Sequence, residues 1–183
     1  MTKFIVRTVE TRDISNLIAA VPDLIIVRDR IHDAMETYLR AMEVAGDDPC
    51  VQLEDDLILC SDFYNRVNAV IAEHPDDIIQ FFSMRKDDLT LGTRYIPGSR
   101  FMANLCFYLP AGLAKEFREY ARQQGVSLYK DTNLGCDGFL AAFLKSKKMK
   151  YLNIVPNLVD HQVAKSAIDP RRSSKRQSLT FRG

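Results

Sequence analysis

Residues 50–60 have the sequence CVQLEDDLILC, in which three consecutive carboxylates interrupt an apolar run without a basic neighbour. At about 5 Å separation and an effective dielectric of roughly 20, each pair of like charges repels by about 3 kcal/mol. The apolar first half predicts a strand, and an apolar step separates the acids from the next helix, which Ser61 or Asp62 would cap. The acids therefore end a strand, and they do not occupy a helix start, where the helix dipole would favour them.

Around this segment, the spacing of apolar residues predicts alternating strands and helices. The predicted strands are 3–9, 23–29, 49–55, 78–84, 101–110 and 150–156, and the predicted helices are 31–46, 61–75, 111–124 and 136–148. Residues 85–100 have turn residues and little periodicity, which indicates a surface excursion that would suit a binding loop. This alternation predicts an α/β sandwich with a mostly parallel sheet, in which ligands bind beyond the carboxyl ends of the strands.

The composition fits one globular domain. The chain has 183 residues, of which 46% are hydrophobic and 27% charged, and this is enough to bury a core. Its four cysteines form no CxxC pair and have apolar neighbours, which predicts buried free thiols of a cytosolic protein. There is no signal-peptide pattern and no apolar run of membrane-spanning length, so we expect a cytoplasmic protein without membrane insertion.

The charge is distributed unevenly along the chain. Residues 165–183 contain six Lys or Arg residues against one acid, so this segment carries +5 while the rest carries about −4. Such a basic segment suggests an anionic partner, either a phosphate-bearing small molecule or a nucleic acid. A solvated, partly disordered terminus is the alternative.

The acid triplet is a candidate metal site. Side chains alternate along a strand, so Glu54 and Asp56 would point one way and Asp55 the other. A divalent cation would convert their repulsion into coordination, and carboxylate oxygens suit Mg²⁺ or Mn²⁺. A solvated acidic corner is the competing interpretation.

Two motifs resemble a known enzyme family. The sequence LEDD at residues 53–56 follows a strand–helix unit with an Arg-bearing first strand, and it resembles the metal-binding motif of nucleotide-sugar-dependent glycosyltransferases of the GT-A fold. The form is similar to that of small phage-type and lipopolysaccharide-type glycosyltransferases. The segment NIVPNLVDHQVAKSAID, residues 153–169, resembles the same family in its order of strand, Pro, apolar step, His and Ser.

The resemblance implies a fold and a domain division. It spans Arg7 to about Phe181 and implies a GT-A, Rossmann-like three-layer sandwich over residues 1–164. Residues 165–183 would form a basic C-terminal arm that closes over the diphosphate of the donor.

The resemblance also implies roles for individual residues. Glu54, Asp56 and His161 would hold Mn²⁺ or Mg²⁺, and Asp137, in the segment GCDGFLAAFLKSKKMKY, would be the catalytic base. The donor would be held at strand ends and in the arm by Arg7, Thr8, Arg12, Arg28, Asp29, Asp55, Lys165, Ser166 and Arg171.

The implied activity is the transfer of a sugar from a nucleoside diphosphate sugar, such as a UDP-sugar, to an acceptor hydroxyl. The acceptor would be a glycan or modified phage DNA, and the location would be the host cytoplasm if a phage encodes the protein. One alternative is a nucleic-acid-binding module that uses the basic arm without catalysis, although the acid triplet would repel that ligand. A two-metal nuclease or phosphatase is the third hypothesis, and it ranks lowest because His32 and His74 have no ligand-like spacing to an acid.

Overall fold

The computed structural model describes residues 1–125, 135–162 and 176–183. In chain order, the strands are β1 Lys3–Val9, β2 Ile25–Asp29, β3 Cys50–Glu54, β4 Leu57–Leu59, β5 Ile78–Gln80, β6 Arg94–Pro97, β7 Cys106–Leu109, β8 Lys150–Asn153 and β9 Val159–His161. The helices are α1 Ser15–Ala20, α2 Ala34–Ala45, α3 Phe63–Glu73, α4 Asp88–Leu91, α5 Leu113–Gln124 and α6 Cys136–Ser146, with a 3-10 turn at Gly98–Arg100.

Seven strands form one mixed sheet in the order β2-β1-β3-β7-β5-β8-β6, while β4 and β9 form a separate antiparallel pair. Five of the seven strands run in the same direction, whereas β6 and β7 run the opposite way. The predicted α/β sandwich with a mostly parallel sheet is therefore confirmed. Strand β7 is antiparallel to both of its neighbours, β3 and β5, so it separates the two parallel parts of the sheet.

Helices cover both faces of the sheet. On one face, Ile5 of β1 and Phe107 of β7 belong to an apolar cluster with residues of α2, α5 and α6. On the other face, Val6 and Tyr108 belong to a second cluster with residues of α1 and α3. Neighbouring residues of one strand thus enter opposite cores, which explains why the central strands are nearly continuous apolar runs.

The end of α2 was predicted at Gly46, and the start of α3 was predicted to be capped by Ser61 or Asp62. Asp33 caps α2, because its carboxylate accepts the backbone N–H of Met35 at 3.0 Å, and Gly46 ends that helix with a φ of 63°. Asp62 occupies the N-cap position of α3, but its side chain accepts no N–H of the helix. Its Oδ1 instead accepts the Asn65 side-chain amide at 2.7 Å, so the predicted capping role of Asp62 is wrong.

Several short elements were not predicted. The expected surface excursion 85–100 contains α4 and the edge strand β6, and β6 pairs antiparallel with β8. The elements were missed because Leu89, Leu91 and Tyr95 are apolar but exposed, so the apolar residues there do not follow the buried face of a helix or strand. Conversely, β5 and β7 are shorter than predicted, because the buried residues Phe81 and Leu105 lie beyond the strand ends.

The described part of the predicted arm, residues 176–183, packs against the domain. Phe181 is partly buried against the apolar cluster that also contains α1 and α3. In the described ranges, no helix has the length and apolar character needed to cross a bilayer.

Gly98 gives a test of the packing between the 3-10 turn and α6. A Cβ at this position would overlap Leu144 Cβ and approach the Met149 carbonyl oxygen to 2.8 Å. We expect Gly98→Ala to lower the free energy of unfolding by about 2–3 kcal/mol, because a packed core resists added volume. Urea denaturation measures this loss. Ser99→Ala, at the exposed neighbouring position, is the matched control, and equal stability of the two variants would contradict the packing.

Candidate functional site

A cleft of about 170 Å³ opens where β1, β2 and β3 end. Thr8 and Val9 line it from β1, Asp29 from β2 and Glu54 from β3. These three strands are parallel neighbours, so their carboxyl ends meet at one edge of the sheet. The cleft therefore lies at the edge where the sequence predicts ligand binding.

Each acid of the triplet faces a basic side chain from another part of the chain. Glu54 Oε1 lies 3.6 Å from an Arg7 guanidinium nitrogen, and Asp55 Oδ1 lies 3.5 Å from Arg12 Nε. Asp56 Oδ2 lies 3.1 Å from His161 Nε2. The arginines thus offset part of the repulsion within the isolated segment without a metal.

Strand pairing creates the contact between Asp56 and His161. Leu57, the first residue of β4, pairs with His161, the last residue of β9. The Gln162 N–H also donates to the Asp56 carbonyl oxygen at 2.8 Å. The imidazole is almost fully buried, with a relative exposure of 1% for the residue.

The acids differ in how strongly they hold a proton. Burial raises the pKa of Glu54 to about 7, and although Arg7 opposes this, the charge of Asp56 adds to it. Burial also raises the pKa of Asp55. Burial would raise the pKa of Asp56 too, but its contact with His161 and the nearby guanidinium charges hold that pKa below its usual value.

The Asp56–His161 pair has unused binding capacity. Asp56 Oδ1 and His161 Nδ1 are buried without a hydrogen-bond partner in the described residues. The 3.1 Å contact between His161 Nε2 and Asp56 Oδ2 is not aligned as a hydrogen bond, so Nε2 also lacks a hydrogen-bond partner in the described residues. In ranges 1–125, 135–162 and 176–183, no three His, Cys, Asp or Glu side chains gather as a metal-binding group.

Asp137 lies in the first turn of α6 and lines the same cleft. Its Oδ2 accepts the Ala103 N–H and its Oδ1 accepts the Gly138 N–H, both at 3.0 Å. Ala103 has a φ of 60°, and its carbonyl oxygen accepts the Gln80 side-chain amide at 3.2 Å. The orientation of the Asp137 carboxylate is therefore fixed by the loop that precedes β7.

Arg7 is a buried cation held by two contacts, although its Nε has no hydrogen-bond partner in the described residues. Its guanidinium donates to the Asn104 carbonyl oxygen at 2.8 Å and stacks over the Tyr38 ring at 4.7 Å from the ring centroid. The relative exposure of Arg7 is only 9%. These contacts hold its charge beside Glu54.

The remaining predicted donor residues divide into three groups. Thr8, Arg12 and Asp29 line the cleft. Asp29 Oδ1 accepts the Ile31 and Asp33 N–H groups, both at 3.2 Å, while its Oδ2 is buried without a partner in the described part of the chain. Arg28 is partly exposed and does not line the cleft. Lys165, Ser166 and Arg171 lie outside the described residues.

Of the cleft residues that the sequence did not point to, four have polar or thiol side chains, namely Thr37, Asn104, Cys136 and Arg176. Arg176 belongs to the basic segment, so the charge pattern pointed to its region but not to its position. The other three have no pattern that distinguishes them from ordinary core residues. Burial raises the pKa of the Cys136 thiol to about 12, so this thiol is a poor nucleophile.

The cleft has an acidic balance. Among its described lining residues, five acids face three arginines, which gives −2 when all are ionised: Asp29, Glu54, Asp55, Asp56 and Asp137 against Arg7, Arg12 and Arg176. A cation, or an anion that brings a cation with it, would therefore be favoured there.

No protein-family model matches the chain, and no curated protein matches it. Among solved structures, the chain is similar to the crystal structure of A197 from STIV, with a TM-score of 0.49 and 14% sequence identity. The similarity covers 99% of this chain and 95% of that chain. At this level it assigns neither a fold family nor a function.

The raised pKa of Glu54 predicts a pH-dependent gain in stability on substitution. An acid whose pKa rises on folding costs stability once it ionises, so the cost is absent below about pH 4.5 and complete above about pH 7. We expect Glu54→Gln, in metal-free protein, to raise the free energy of unfolding at pH 8 by on the order of 2 kcal/mol. The gain should largely vanish at pH 5.

Urea denaturation in EDTA at both pH values measures this effect. Glu73→Gln, at an exposed position, is the control and should change stability equally at both pH values. A Glu54→Gln protein that is less stable than the wild type at pH 8 would contradict the assignment.

Proposed function

We propose that the protein is a metal-dependent glycosyltransferase of GT-A type, which moves a sugar from a nucleoside diphosphate sugar to an acceptor hydroxyl. The observation that carries the proposal is the contact between Asp56 and the buried His161 imidazole. Asp56 lines the cleft together with Glu54 and Asp137, and His161 lies behind it, outside the described lining. The motif LEDD and the segment 153–169, whose resemblance to this family suggested the function, are thus in contact through Asp56 and His161.

The Asp56–His161 pair fits a divalent cation. In an octahedral complex with bonds of about 2.1 Å, neighbouring ligand atoms lie about 3 Å apart. The 3.1 Å between Asp56 Oδ2 and His161 Nε2 agrees with this spacing. Both residues also have buried polar atoms without a hydrogen-bond partner in the described residues. Glu54, two residues before Asp56, is a third potential ligand once it loses its proton.

Two or three protein ligands are sufficient for such a site. Mg²⁺ is commonly held by one or two carboxylates together with substrate phosphates, and the donor diphosphate would complete the set here. An imidazole among the ligands favours Mn²⁺ over Mg²⁺. When bound, the metal would stabilise the charge that develops on the leaving diphosphate.

The other cleft residues would hold the donor. Thr8 and Arg12 line the exit of β1, and Asp29 offers a buried carboxylate oxygen to a hydroxyl or N–H of the nucleoside. Arg176 would contribute a second cation beside Glu54 and Asp56. Closure by Lys165, Ser166 and Arg171 stays a prediction, since they lie outside the described residues.

Asp137 would act as the base. Its two hydrogen bonds to backbone N–H groups fix the carboxylate towards the cleft. As the acceptor oxygen attacks the anomeric carbon, its proton would pass to Asp137 while the bond to the diphosphate breaks. The acceptor would be a glycan or modified nucleic acid. A metal-independent, salt-sensitive shift with duplex DNA would instead favour a binding module.

Metal and donor binding give the first test. We expect Mn²⁺ with one nucleotide sugar, at 100 times its dissociation constant, to raise the melting temperature by about 5–10 °C, because the ligand binds only the folded state. The shift should be larger at pH 8 than at pH 6, since Glu54 must release its proton. Asp56→Asn should abolish it.

The matched control is Asp76→Asn, which removes an exposed acid outside the cleft and should leave the shift unchanged. A screen of uridine and guanosine sugars in which no member gives a Mn²⁺-dependent shift would overturn the proposal. An unchanged shift in Asp56→Asn would overturn the site.

The second test separates chemistry from binding. We expect Asp137→Asn to reduce kcat by about 100-fold or more, because it removes the proton acceptor, while the donor-induced rise in melting temperature persists. An amide can accept only one of the two N–H bonds, so a Tm loss without ligand is expected and serves as the baseline. Unchanged turnover in Asp137→Asn would show that another group is the base.

A further inference from the structure

The C-terminal residues 176–183 are attached to the domain through a compact polar network. Ser178 Oγ donates to Asn157 Oδ1 at 2.6 Å and accepts the N–H groups of Thr180 and Phe181 at 3.1 and 3.0 Å. The Asn157 N–H donates in turn to Thr180 Oγ1 at 3.2 Å. Asn157 is 1% exposed and lies in the connection between β8 and β9.

The network continues to the candidate metal ligand. Asp160 Oδ1 accepts the Ser178 N–H at 2.7 Å and the His161 N–H at 2.8 Å. One carboxylate oxygen therefore holds both the C-terminal segment and the residue that carries the imidazole. Asp160 is 8% exposed, so its bonds have little competition from water.

The same segment delivers a cation to the cleft. Arg176 lies two residues before Ser178 and lines the cleft. Its charge acts on both Glu54 and Asp56. A basic tail in free solution would not keep one side chain at one place, because its conformational entropy opposes this. The bonds of Ser178, with the packing of Phe181, offset that cost.

Buried polar networks favour one arrangement when every member is bonded. Here the second lone pair of Asn157 Oδ1 is also engaged, since it accepts the Ser83 N–H at 3.0 Å. Ser178 thus joins a network that also includes Ser83, so the C-terminal segment is bonded to the loops that follow β5 and β8.

We infer that residues 176–183 are a positioning element of the candidate site: Ser178 sets Arg176 beside the acids, and through Asp160 the segment fixes the strand end that carries His161. The inference deepens the proposed function and rests on it only where metal binding is measured. Ser178, Asn157 and Asp160 touch neither cation nor donor in this scheme and act through Arg176 and His161.

The first measurement needs no metal. The chain has three histidines, so imidazole resonances of ¹⁵N-labelled, EDTA-treated protein can be assigned with His161→Gln. We expect Ser178→Ala to shift and broaden the His161 signals. Ser178→Thr keeps the hydroxyl and should restore them. Leu179→Ala, in the same segment but with an exposed side chain, is the control and should leave them unchanged.

The second measurement is the Mn²⁺ affinity, determined by isothermal titration calorimetry in an Arg176→Gln background. This substitution removes a cation that would compete with Mn²⁺ and keeps the hydrogen bonds of Ser178. Adding Ser178→Ala should weaken binding by roughly tenfold, the lower end for residues that orient metal ligands. His161 signals that are unchanged in Ser178→Ala, or altered equally by Leu179→Ala, overturn the inference. If the wild type binds no Mn²⁺, the proposed function fails, and the imidazole signals alone decide the inference.

Discussion

The arrangement of the cleft depends on the pairing of three adjacent acids with three basic side chains that come from other strands and turns. Parallel register places Arg7 of β1 beside Glu54 of β3, and antiparallel register places His161 of β9 beside Leu57, next to Asp56. Arg12 reaches Asp55 from the turn after β1. Because these contacts follow from strand order and register, they exist only in the folded sheet. The two arginines then compensate part of the repulsion within residues 54–56.

This compensation is incomplete, and the uncompensated negative charge of the cleft favours a cation. Arg7 is held by Tyr38 and Asn104, so it cannot move to follow a ligand. The pKa of Glu54 is still about 7, and the described cleft residues carry more acids than arginines. Among the described residues, Asp56 Oδ1 and both ring nitrogens of His161 are buried without a hydrogen-bond partner, and Asp56 lines the cleft. An environment with this balance attracts a small cation more readily than a bare phosphate, which is the physical basis for the proposed metal-assisted transfer.

Much of this arrangement could be predicted from the sequence, but only where local pattern dictates it. β1 begins and ends as predicted, α2 has the expected stop at Gly46, and Glu54 ends β3, whereas Asp55 and Asp56 lie in the bend between β3 and β4. The proximity of Asp56 and His161 was inferred from a resemblance and not from spacing. Arg7 and Arg12 were assigned to the donor, although their contacts are with Glu54 and Asp55. Such pairing over distant segments depends on strand register, which local periodicity does not encode.

The reversed direction of β7 has a consequence for how the cleft is built. Since this strand starts where its neighbour β3 ends, the loop before it comes to the open edge of the sheet. That loop contributes main-chain groups: the Ala103 N–H to Asp137, the Asn104 carbonyl to Arg7 and the Leu105 carbonyl to the Glu54 N–H. One wall of the cleft thus contains peptide groups, and every amino acid except proline supplies both the N–H and the carbonyl of such a group. These contacts depend on the path of the backbone and not on side-chain chemistry, so an inspection of residue types alone would overlook this wall.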